Sequence, residues 1–430
     1  MITLENLPSL KIEVDNRNLD ENSLFIAIVG LRFNPLEHLD TVVESGCKFV
    51  MCEIQYRELT RDFSNQIDFI FVEDITKSIQ ELAFKVANQF KDRGGKIIAI
   101  SGSNGKTTTK EMLYHILDHT FPGETICTQK NNNNHLGVPF SLFQISTKTK
   151  FAIIELGSNH PGEIEVLCKI ANPDLGVTTN IGATHLEFFD NLENVYKEEA
   201  TLGHYAVTFF KNDDDPYLKN FNSQNKLLSF GQNGTHFKFL FPSLDSVSVN
   251  GKIIKNSNIT GKHNLINLAL AFSMANFLLP EQVDTLLKAA SSFMPTANRS
   301  QWLDWKDKKV FLDAYNANPS SMKVAVEGFI DKVDDTEKAL LILGDMNELG
   351  DNAAKFHESL GKYLGENFPK SRKVFIGNRA QEYAMGYQGD CDCFGSVQEA
   401  SNRLNTIVQQ VDYLFIKGSR SLQLETILDI

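Results

Sequence analysis

Apolar residues occur along this chain in short runs, separated by stretches in which apolar positions recur every three or four residues. Near the start, runs at 24–29 and 69–72 predict strands, and the spacing over 76–90 predicts a helix. Further on, runs at 151–154 and 175–178 alternate with helix-like segments. Such alternation favours a parallel sheet covered by helices.

A third region follows the segment Phe-Met-Pro-Thr at 293–296, with strands and helices again in alternation. Its predicted strands lie at 310–312, 339–343, 373–376 and 413–416. The chain is therefore predicted to be an α/β protein of three domains. These are a small mixed α/β N-terminal domain over 1–95, a central parallel-sheet domain over 96–296 and a Rossmann-like α/β C-terminal domain over 297–430.

Composition narrows the class of protein. The 430 residues carry 42 Lys and Arg against 54 Asp and Glu, a net charge of −12, which argues against nucleic acid or an anionic membrane as a partner. No apolar run approaches the roughly 18 residues of a membrane span. The segment 1–10 lacks the order of a signal peptide, so we expect a cytoplasmic protein. The six cysteines form no metal-binding spacing and are expected to be free thiols.

The strongest chemical signal is a glycine-rich loop between the apolar run 96–100 and an amphipathic helix reaching about His119. The loop reads Ser-Gly-Ser-Asn-Gly-Lys-Thr-Thr-Thr over 101–109. Glycines let backbone N–H groups turn toward phosphate oxygens, Lys106 neutralises phosphate charge, and a hydroxyl from Thr107 or Thr108 can hold Mg²⁺. The loop is shorter than G-x-x-x-x-G-K-[ST], because Ile100 stands where the first glycine would be. A simple helix-capping turn is the alternative.

This short loop resembles the ATP loop of the Mur ligases and of their relatives, the folylpolyglutamate synthases. Three further blocks, at 132–139, 155–164 and 179–187, resemble central-domain blocks of the Mur ligases in the same order. The resemblance implies a P-loop ATPase as the central domain and ATP as a cofactor. The ATP loop would comprise Gly102, Ser103, Asn104, Gly105, Lys106, Thr107 and Thr108.

Metal ligands are expected at the ends of two apolar strands. Glu155 and His185 each follow such a strand, and a carboxylate and an imidazole there can bind a divalent cation. Alone, each would be an ordinary solvated or capping residue. The resemblance implies two Mg²⁺ ions, one shared by Thr107 or Thr108 with the ATP phosphates and one bound by Glu155 and His185.

The resemblance also implies catalytic roles for residues near the γ-phosphate. Asn180 would lie beside that phosphate, with Lys106 and His185 completing the group. Lys197, in Tyr-Lys-Glu-Glu, occupies a position that resembles the lysine which most Mur ligases convert with CO₂ to a carbamate ligand of the second Mg²⁺. Read from its surroundings alone, Lys197 would be a surface lysine.

Nucleotide contacts are expected on both sides of a hinge near 293–296. The block Gly-Lys-His-Asn-Leu-Ile-Asn at 261–267 resembles the family's adenine-contacting block, although its polar residues could equally cap a helix. The resemblance further implies a phosphate-contacting arginine and a nucleotide-contacting aspartate, so that ATP would help close the hinge. The residues concerned are His263, Asn264, Asn267, Arg299 and Asp313.

The block 313–322 resembles the corresponding block of Mur ligases that add D-alanyl-D-alanine. It implies an ATP-dependent amide ligase that joins this dipeptide to UDP-N-acetylmuramoyl-tripeptide through an acyl phosphate. The polar side chains of Asn316, Asn318 and Ser320 are expected to bind peptide groups of the dipeptide. Lys417 and Arg420 are expected to meet a carboxylate or phosphate.

The N-terminal domain is expected to bind the uridine diphosphate end. Its segments 15–17, 25–30 and 33–35 resemble family motifs, but the last lacks the Gly-His of the family. Arg17 would meet a phosphate, or Asp15 and Arg17 would form an exposed structural pair. The third residue of the tripeptide, diaminopimelate or lysine, stays open, and we expect a monomer.

Two other classes of protein remain possible from the sequence. A second amide ligase of the same superfamily would act on folate or on another Mur precursor, and the block 313–322 argues against it. A nucleotide-dependent regulatory protein would be expected to lose Lys106, Glu155, His185 or Lys197, and all are present. A GTPase-type switch lacks a base-recognition block.

Overall fold

The computed structural model describes residues 10–31 and 33–429, which form three sheets with helices packed against them. Most of residues 1–10, where the signal-peptide pattern was sought, lies outside the described residues. The three-domain α/β fold predicted from the sequence is confirmed. The exact domain boundaries stay predictions.

The first sheet has four parallel strands in the order β1-β2-β3-β4. Its strands are β1 (Lys11–Glu13), β2 (Ser23–Ile26), β3 (Phe49–Glu53) and β4 (Asp68–Val72), and its helices are α1 (Leu39–Glu44) and α2 (Ile75–Asp92). Residues of helix α2 belong to two hydrophobic cores. Ile79 and Leu82 pack on the first sheet, whereas Ala87 and Phe90 pack on the central domain. The long α2 therefore ties the N-terminal domain to the central one.

The central sheet has nine strands, in the order β13-β12-β11-β10-β9-β8-β5-β7-β6. The strands are β5 (Lys96–Ser101), β6 (Thr125–Cys127), β7 (Phe151–Glu155), β8 (Leu175–Thr178), β9 (Thr208–Asn212), β10 (Lys226–Gly231), β11 (Phe237–Ser243), β12 (Ser246–Val249) and β13 (Lys252–Lys255). The helices are α3 (Lys106–Thr120), α4 (Gly137–Leu142), α5 (Glu163–Ala171), α6 (Leu186–Phe189), α7 (Leu192–Ala200), α8 (Leu202–Tyr205), α9 (Lys262–Leu278) and α10 (Val283–Ser292).

The central sheet is parallel from β6 to β11, as predicted, but β12 and β13 extend it as an antiparallel edge. The cause is local. Asn250 and Gly251 both have positive φ, at 51° and 86°, the conformation of a two-residue hairpin turn. That turn folds β13 directly back on β12.

The third sheet has six strands, in the order β14-β15-β19-β16-β17-β18, and only β14 is antiparallel. The strands are β14 (Gln301–Trp305), β15 (Lys308–Asp313), β16 (Ala339–Gly344), β17 (Arg372–Ile376), β18 (Cys391–Phe394) and β19 (Tyr413–Lys417), and the helices are α11 (Pro319–Ile330), α12 (Ala353–Asn367), α13 (Ala380–Tyr387) and α14 (Val397–Val408).

The carboxyl ends of the parallel strands in the second and third sheets face one another. Strands β5, β7 and β8 end at the phosphate loop, Glu155 and Thr178, and β15 and β19 end at Asp313 and Lys417. Within the described part of the chain, no helix is both long enough and apolar enough to cross a membrane.

Candidate active site

A cavity of about 880 Å³ lies between the central and C-terminal domains. Most of the residues singled out from the sequence line it. These are Ser103, Asn104, Gly105, Lys106, Thr107, Thr108, Glu155, Asn180, His185, His263, Asn264, Asn267, Arg299, Asp313, Asn316, Asn318, Ser320, Lys417 and Arg420. Gly102, Lys197 and Arg17 are not part of its lining.

The phosphate loop has the backbone shape that an anion site requires. Gly102 and Gly105 have positive φ, at 120° and 81°, a conformation that L side chains rarely adopt. A Cβ at position 105 would also lie 2.7 Å from Asn267 Oδ1. Lys106 begins α3, so its ammonium and the N–H groups of the first helical turn share one end of the loop. This arrangement fits the phosphates of a nucleotide.

Side chains that follow β8 hold the loop in place. Thr179 Oγ1 donates to the carbonyl of Asn104 at 2.6 Å, and Asn180 Nδ2 donates to the same carbonyl at 2.9 Å. In return, Asn180 Oδ1 accepts from the Asn104 N–H at 3.2 Å. The Asn180 amide therefore holds the phosphate loop in place. Its contact with the γ-phosphate stays a prediction.

Glu155 fits a divalent cation on a direct observation. Its carboxylate is buried, and Oε1 accepts from Asn133 Nδ2 at 2.9 Å while Oε2 has no hydrogen-bond partner. The nearest cation, the Lys110 ammonium, lies 3.9 Å from Oε2, beyond hydrogen-bond distance, and a buried carboxylate oxygen that accepts no hydrogen bond is costly. Among the described residues, no three His, Cys, Asp or Glu side chains gather closely enough to hold a metal. A cation at Glu155 would therefore complete its shell with hydroxyl, phosphate or water oxygens.

Lys110 is a residue that the sequence reasoning missed. Its ammonium is fully buried, donates to the carbonyl of Thr128 at 2.6 Å and lies 3.9 Å from Glu155 Oε2. The signal for it was its position in the apolar stripe of α3, in line with Leu113 and Leu117, because a lysine in such a stripe must find a buried partner.

His185 contacts the opposite domain rather than Glu155. Its backbone has φ of 51°, and its Nδ1 lies 2.8 Å from Glu348 Oε2, without the alignment of a good hydrogen bond. The contact is an ion pair when the imidazole carries a second proton. The nearby imidazole lowers the pKa of the Glu348 carboxyl. Glu348, which follows β16, was not predicted as a site residue and links the two walls of the cavity.

The structure does not bring Lys197 to the cavity. Its side chain on α7 is exposed, whereas Glu198 and Glu199 on the same helix are buried. Glu199 Oε2 accepts from the Gly102 N–H at 2.7 Å, and burial raises the pKa of Glu199 against the opposing effects of Lys106 and this N–H. Sequence reasoning singled out the lysine and passed over the glutamate, because residue types alone do not show which side of α7 faces the loop.

The nucleotide-binding residues predicted on α9 line the far wall of the cavity. Burial lowers the pKa of His263, so its imidazole is neutral and has a ring nitrogen free to accept a hydrogen bond. Asn264 Nδ2 donates to the carbonyl of Thr260 at 2.9 Å, and no side chain caps the start of α9, so the capping role that composition allowed is not observed. The Arg299 guanidinium stacks over the ring of Tyr315 at 3.8 Å, which holds it beside the hinge.

The polar residues of the C-terminal wall are partly engaged with one another. Lys417 Nζ lies 2.6 Å from Asp313 Oδ2 and donates to the carbonyl of Asn316 at 2.8 Å. Arg420 pairs with Glu425. Lys417 is only 3% exposed, so it acts as a fixed rather than a mobile charge.

Asn318 and Ser320 contact the phosphate loop across the cavity. Asn318 Nδ2 donates to Asn104 Oδ1 at 2.6 Å, and Asn104 Nδ2 donates to Ser320 Oγ at 3.0 Å. Asn318 also caps α11, accepting from the Ser321 N–H. Their predicted contacts with a dipeptide would therefore require these bonds to rearrange.

Arg17 lies in the N-terminal domain, away from the cavity. Its side chain is 84% exposed and pairs with Asp15, with Nε and Nη2 reaching the carboxylate at 2.9 and 2.5 Å. This is the exposed pair that the sequence allowed as the alternative to a phosphate contact.

Comparison with known proteins gives consistent matches over nearly the whole chain. Residues 100–275 match the family described as Mur ligase middle domain, and residues 298–420 match that described as Mur ligase, glutamate ligase domain. The UDP-N-acetylmuramoyl-tripeptide--D-alanyl-D-alanine ligase of Bacillus subtilis is 28% identical, covering 97% of this chain and 92% of the relative, and that of Escherichia coli is 26% identical, covering 97% and 92%.

Solved structures agree. A crystal structure of MurF from Acinetobacter baumannii is 27% identical with a TM-score of 0.82, covering 97% of this chain and 92% of that one. MurF ligase from Thermotoga maritima in complex with ADP, at 24% identity, shares the fold with a TM-score of 0.82 and covers 99% and 97%.

Proposed function

The chain belongs to the Mur ligase family, and on that premise we propose that it joins D-alanyl-D-alanine to UDP-N-acetylmuramoyl-tripeptide at the expense of ATP. One observation carries the proposal. The phosphate loop and the block 313–322, which resembles that of dipeptide-adding ligases, meet across a single cavity through the Asn104–Asn318 hydrogen bond. The phosphate loop, which would activate the carboxylate, and the block 313–322, which would select the amine, therefore line the same cavity.

The chemistry follows from the inertness of a carboxylate toward amines. The terminal carboxylate of the tripeptide attacks the γ-phosphorus of ATP, the bond to the bridging oxygen breaks, and an acyl phosphate and ADP result. The amine of the dipeptide, having lost a proton, then attacks the acyl carbon. The tetrahedral intermediate expels phosphate and leaves an amide. Enclosure of both substrates in one cavity protects the acyl phosphate from water.

The residues of this chain divide the work by position. Lys106 and the N-terminus of α3 bind the phosphates, and Asn180 keeps the loop in register. Thr107 or Thr108 would hold one magnesium ion together with the ATP phosphates, and Glu155 and His185 would hold a second one after His185 is released from Glu348. Bound magnesium supplies positive charge that offsets the charge developing on the transferred phosphoryl group.

Substrate recognition is assigned to the remaining walls. Arg299, His263, Asn264, Asn267 and Asp313 would contact the nucleotide. Asn316, Asn318, Ser320, Lys417 and Arg420 would contact the dipeptide, its carboxylate meeting the cationic side chains. The uridine diphosphate end stays assigned to the N-terminal domain, with Arg17 as its predicted contact if it leaves the pair with Asp15.

We further propose a cytoplasmic monomer. The proposed location rests on the proposed substrates, ATP and a nucleotide-linked precursor. The net charge of −12 offers no general attraction to nucleic acid or to an anionic membrane surface.

The test is dipeptide-dependent ligation by the full chain. Purified protein is incubated with ATP, Mg²⁺ and UDP-N-acetylmuramoyl-tripeptide, in its diaminopimelate and lysine forms, and with D-alanyl-D-alanine, D-alanine or glutamate. We expect phosphate release only with the dipeptide, and a nucleotide product heavier by one dipeptide minus water. Release with D-alanine or glutamate instead, or no release with either tripeptide, would refute the assignment.

A further inference from the structure

Three consecutive charged residues on α7 point in three directions. Successive residues of a helix are about 100° apart, so positions 197 and 199 lie about 200° apart and cannot face the same neighbour. Lys197 faces solvent. Glu198 is buried against the start of α5, where its carboxylate accepts from the N–H groups of Gly162 and Ile164, each at 2.7 Å. Only Glu199 faces the phosphate loop.

Glu199 is fixed there by both its backbone and its side chain. Its carbonyl accepts from Ser101 Oγ at 3.1 Å and from Thr178 Oγ1 at 2.9 Å, at the ends of β5 and β8. Its Oε2 accepts from the Gly102 N–H at 2.7 Å. The residue is 4% exposed, and its Oε1 has no partner among the described residues. One carboxylate oxygen is therefore used by the loop and the other is available.

The charges around Glu199 belong to the reaction site. Lys106 and His185 both act electrostatically on its carboxylate. The Glu199 carboxylate is therefore near Lys106, which is proposed to bind the phosphates, and near the His185 imidazole, which is predicted to bind a metal. This is the neighbourhood in which the family resemblance led us to expect a carbamate.

We propose that Glu199 supplies the carboxylate group beside the phosphate loop, in place of a carbamate on Lys197. The inference rests on the proposed function and deepens it. A carbamate forms when a neutral lysine amine attacks CO₂, making a C–N bond and releasing a proton. A carboxylate built into the chain needs neither that step nor CO₂.

Variants of α7 test the proposal. Glu199→Gln keeps the size of the side chain and an oxygen that can accept from Gly102, so it removes the charge alone. We expect it to lower kcat about 100-fold, with the KM for the dipeptide little changed. Lys197→Ala should keep kcat within about twofold of the original, as a surface substitution does. The matched control is Glu198→Gln, which should lower thermal stability without the selective loss of kcat.

A second measurement does not depend on ligase activity. ADP affinity is measured by calorimetry with and without Mg²⁺. Loss of the Glu199 carboxylate should weaken ADP binding in the presence of Mg²⁺ and strengthen it in its absence. We therefore expect Glu199→Gln to reduce the ratio of the two affinities by about tenfold or more, where tenfold corresponds to 1.4 kcal/mol. A purely structural role would shift both affinities together.

The need for CO₂ is tested directly. The purified protein is degassed and then supplied with ¹³C-bicarbonate, and carbon NMR is used to look for a carbamate resonance. We expect no such resonance and the same activity with and without bicarbonate. A carbamate signal that disappears in Lys197→Ala, or Glu199→Gln with unaltered kcat and affinity ratio, would overturn the proposal. If the unaltered chain fails to ligate the dipeptide, the proposed function fails, whereas the calorimetric and NMR results still decide the role of Glu199.

Discussion

Asp313 and Lys417 form a buried ion pair at the ends of two adjacent strands. They are register partners on β15 and β19, their charged atoms are 2.6 Å apart, and their side chains are 14% and 3% exposed. Charges removed from water this far are tolerated only as a pair, because each one alone would lose its hydration without compensation. The sequence located both residues at strand ends but did not show that they pair, since strand order is a property of the whole sheet.

Lys417→Met should destabilise the C-terminal domain by about 3 kcal/mol, because it leaves Asp313 buried without its partner. Urea unfolding followed by circular dichroism measures the change. The double variant Lys417→Met with Asp313→Leu removes both charges and should regain most of the loss. Equal destabilisation by the single and double variants would show that lost packing, not the unpaired charge, is responsible.

His357 is a second residue whose charge state is set by burial. It is fully buried on α12, Nδ1 donates to the carbonyl of Ala353 at 2.6 Å, and Nε2 accepts from the Met346 N–H at 2.9 Å. Only a neutral imidazole can do both. Burial accordingly lowers the pKa of His357 below its usual 6.5. The histidine orients the segment after β16 that carries Glu348 into the cavity.

The lowered pKa of His357 determines the direction in which the stability of the fold changes with pH. Below pH 6.5 the unfolded chain takes up a proton at this histidine before the folded chain does, so stability is full above 6.5 and falls as the pH drops toward the folded pKa. The loss is at most about 1.4 kcal/mol per pH unit. Urea unfolding at pH 7 and pH 5.5 should show a smaller difference for His357→Gln than for the original chain. Equal differences would refute this assignment.

At the scale of elements, the Asn318 side chain at the N-terminus of α11 has two roles. Asn318 forms a capping box with Ser321, and it also donates to Asn104 of the phosphate loop. An asparagine cap followed by proline, as at Asn318 and Pro319, is a typical sequence for a helix start. The contact with the loop could not be predicted, since it depends on how the two domains face each other.

Two variants of Asn318 separate these tasks. Asn318→Ala should cost about 1 kcal/mol of C-terminal domain stability through the lost cap, and Asn318→Ser should retain most of that stability because serine also caps. Both should lose the bond to Asn104 and weaken nucleotide binding alike. Thermal unfolding and calorimetric ADP titration provide the two readouts. A serine variant as unstable as the alanine variant would contradict the separation.

Other elements show where sequence patterns suffice and where they do not. The strands that precede the phosphate loop and Glu155 were predicted from apolar runs, because buried parallel strands are apolar on both faces. The hairpin of β12 and β13 was missed, although Asn250-Gly251 is a typical hairpin turn sequence. On α7 the family resemblance singled out Lys197, and the run of charges gave no helical phase that would have pointed to Glu199 instead. Which side of a short charged helix is buried depends on the elements that pack against it, and the charged sequence does not reveal those elements.

At the scale of the whole molecule, the cavity is shared by two domains whose contacts across it are polar. Asn104 meets Asn318 and Ser320, and His185 meets Glu348. Polar contacts of this kind contribute modestly to stability, whereas a ligand that binds both walls at once adds its binding free energy to the closed arrangement. The chain is therefore expected to unfold in more than one step without nucleotide.

ADP with Mg²⁺ should merge these steps. At a concentration about 100 times its Kd, a ligand that binds only the folded state adds about 2.7 kcal/mol to stability, and a ligand touching Lys106 on one wall and Arg299 on the other should stabilise both domains together. Differential scanning calorimetry should show separate transitions for the free protein and a single, higher transition with the nucleotide. Lys106→Met should lose most of this shift. Stabilisation of one transition alone would mean that the nucleotide binds the central domain without engaging the C-terminal wall.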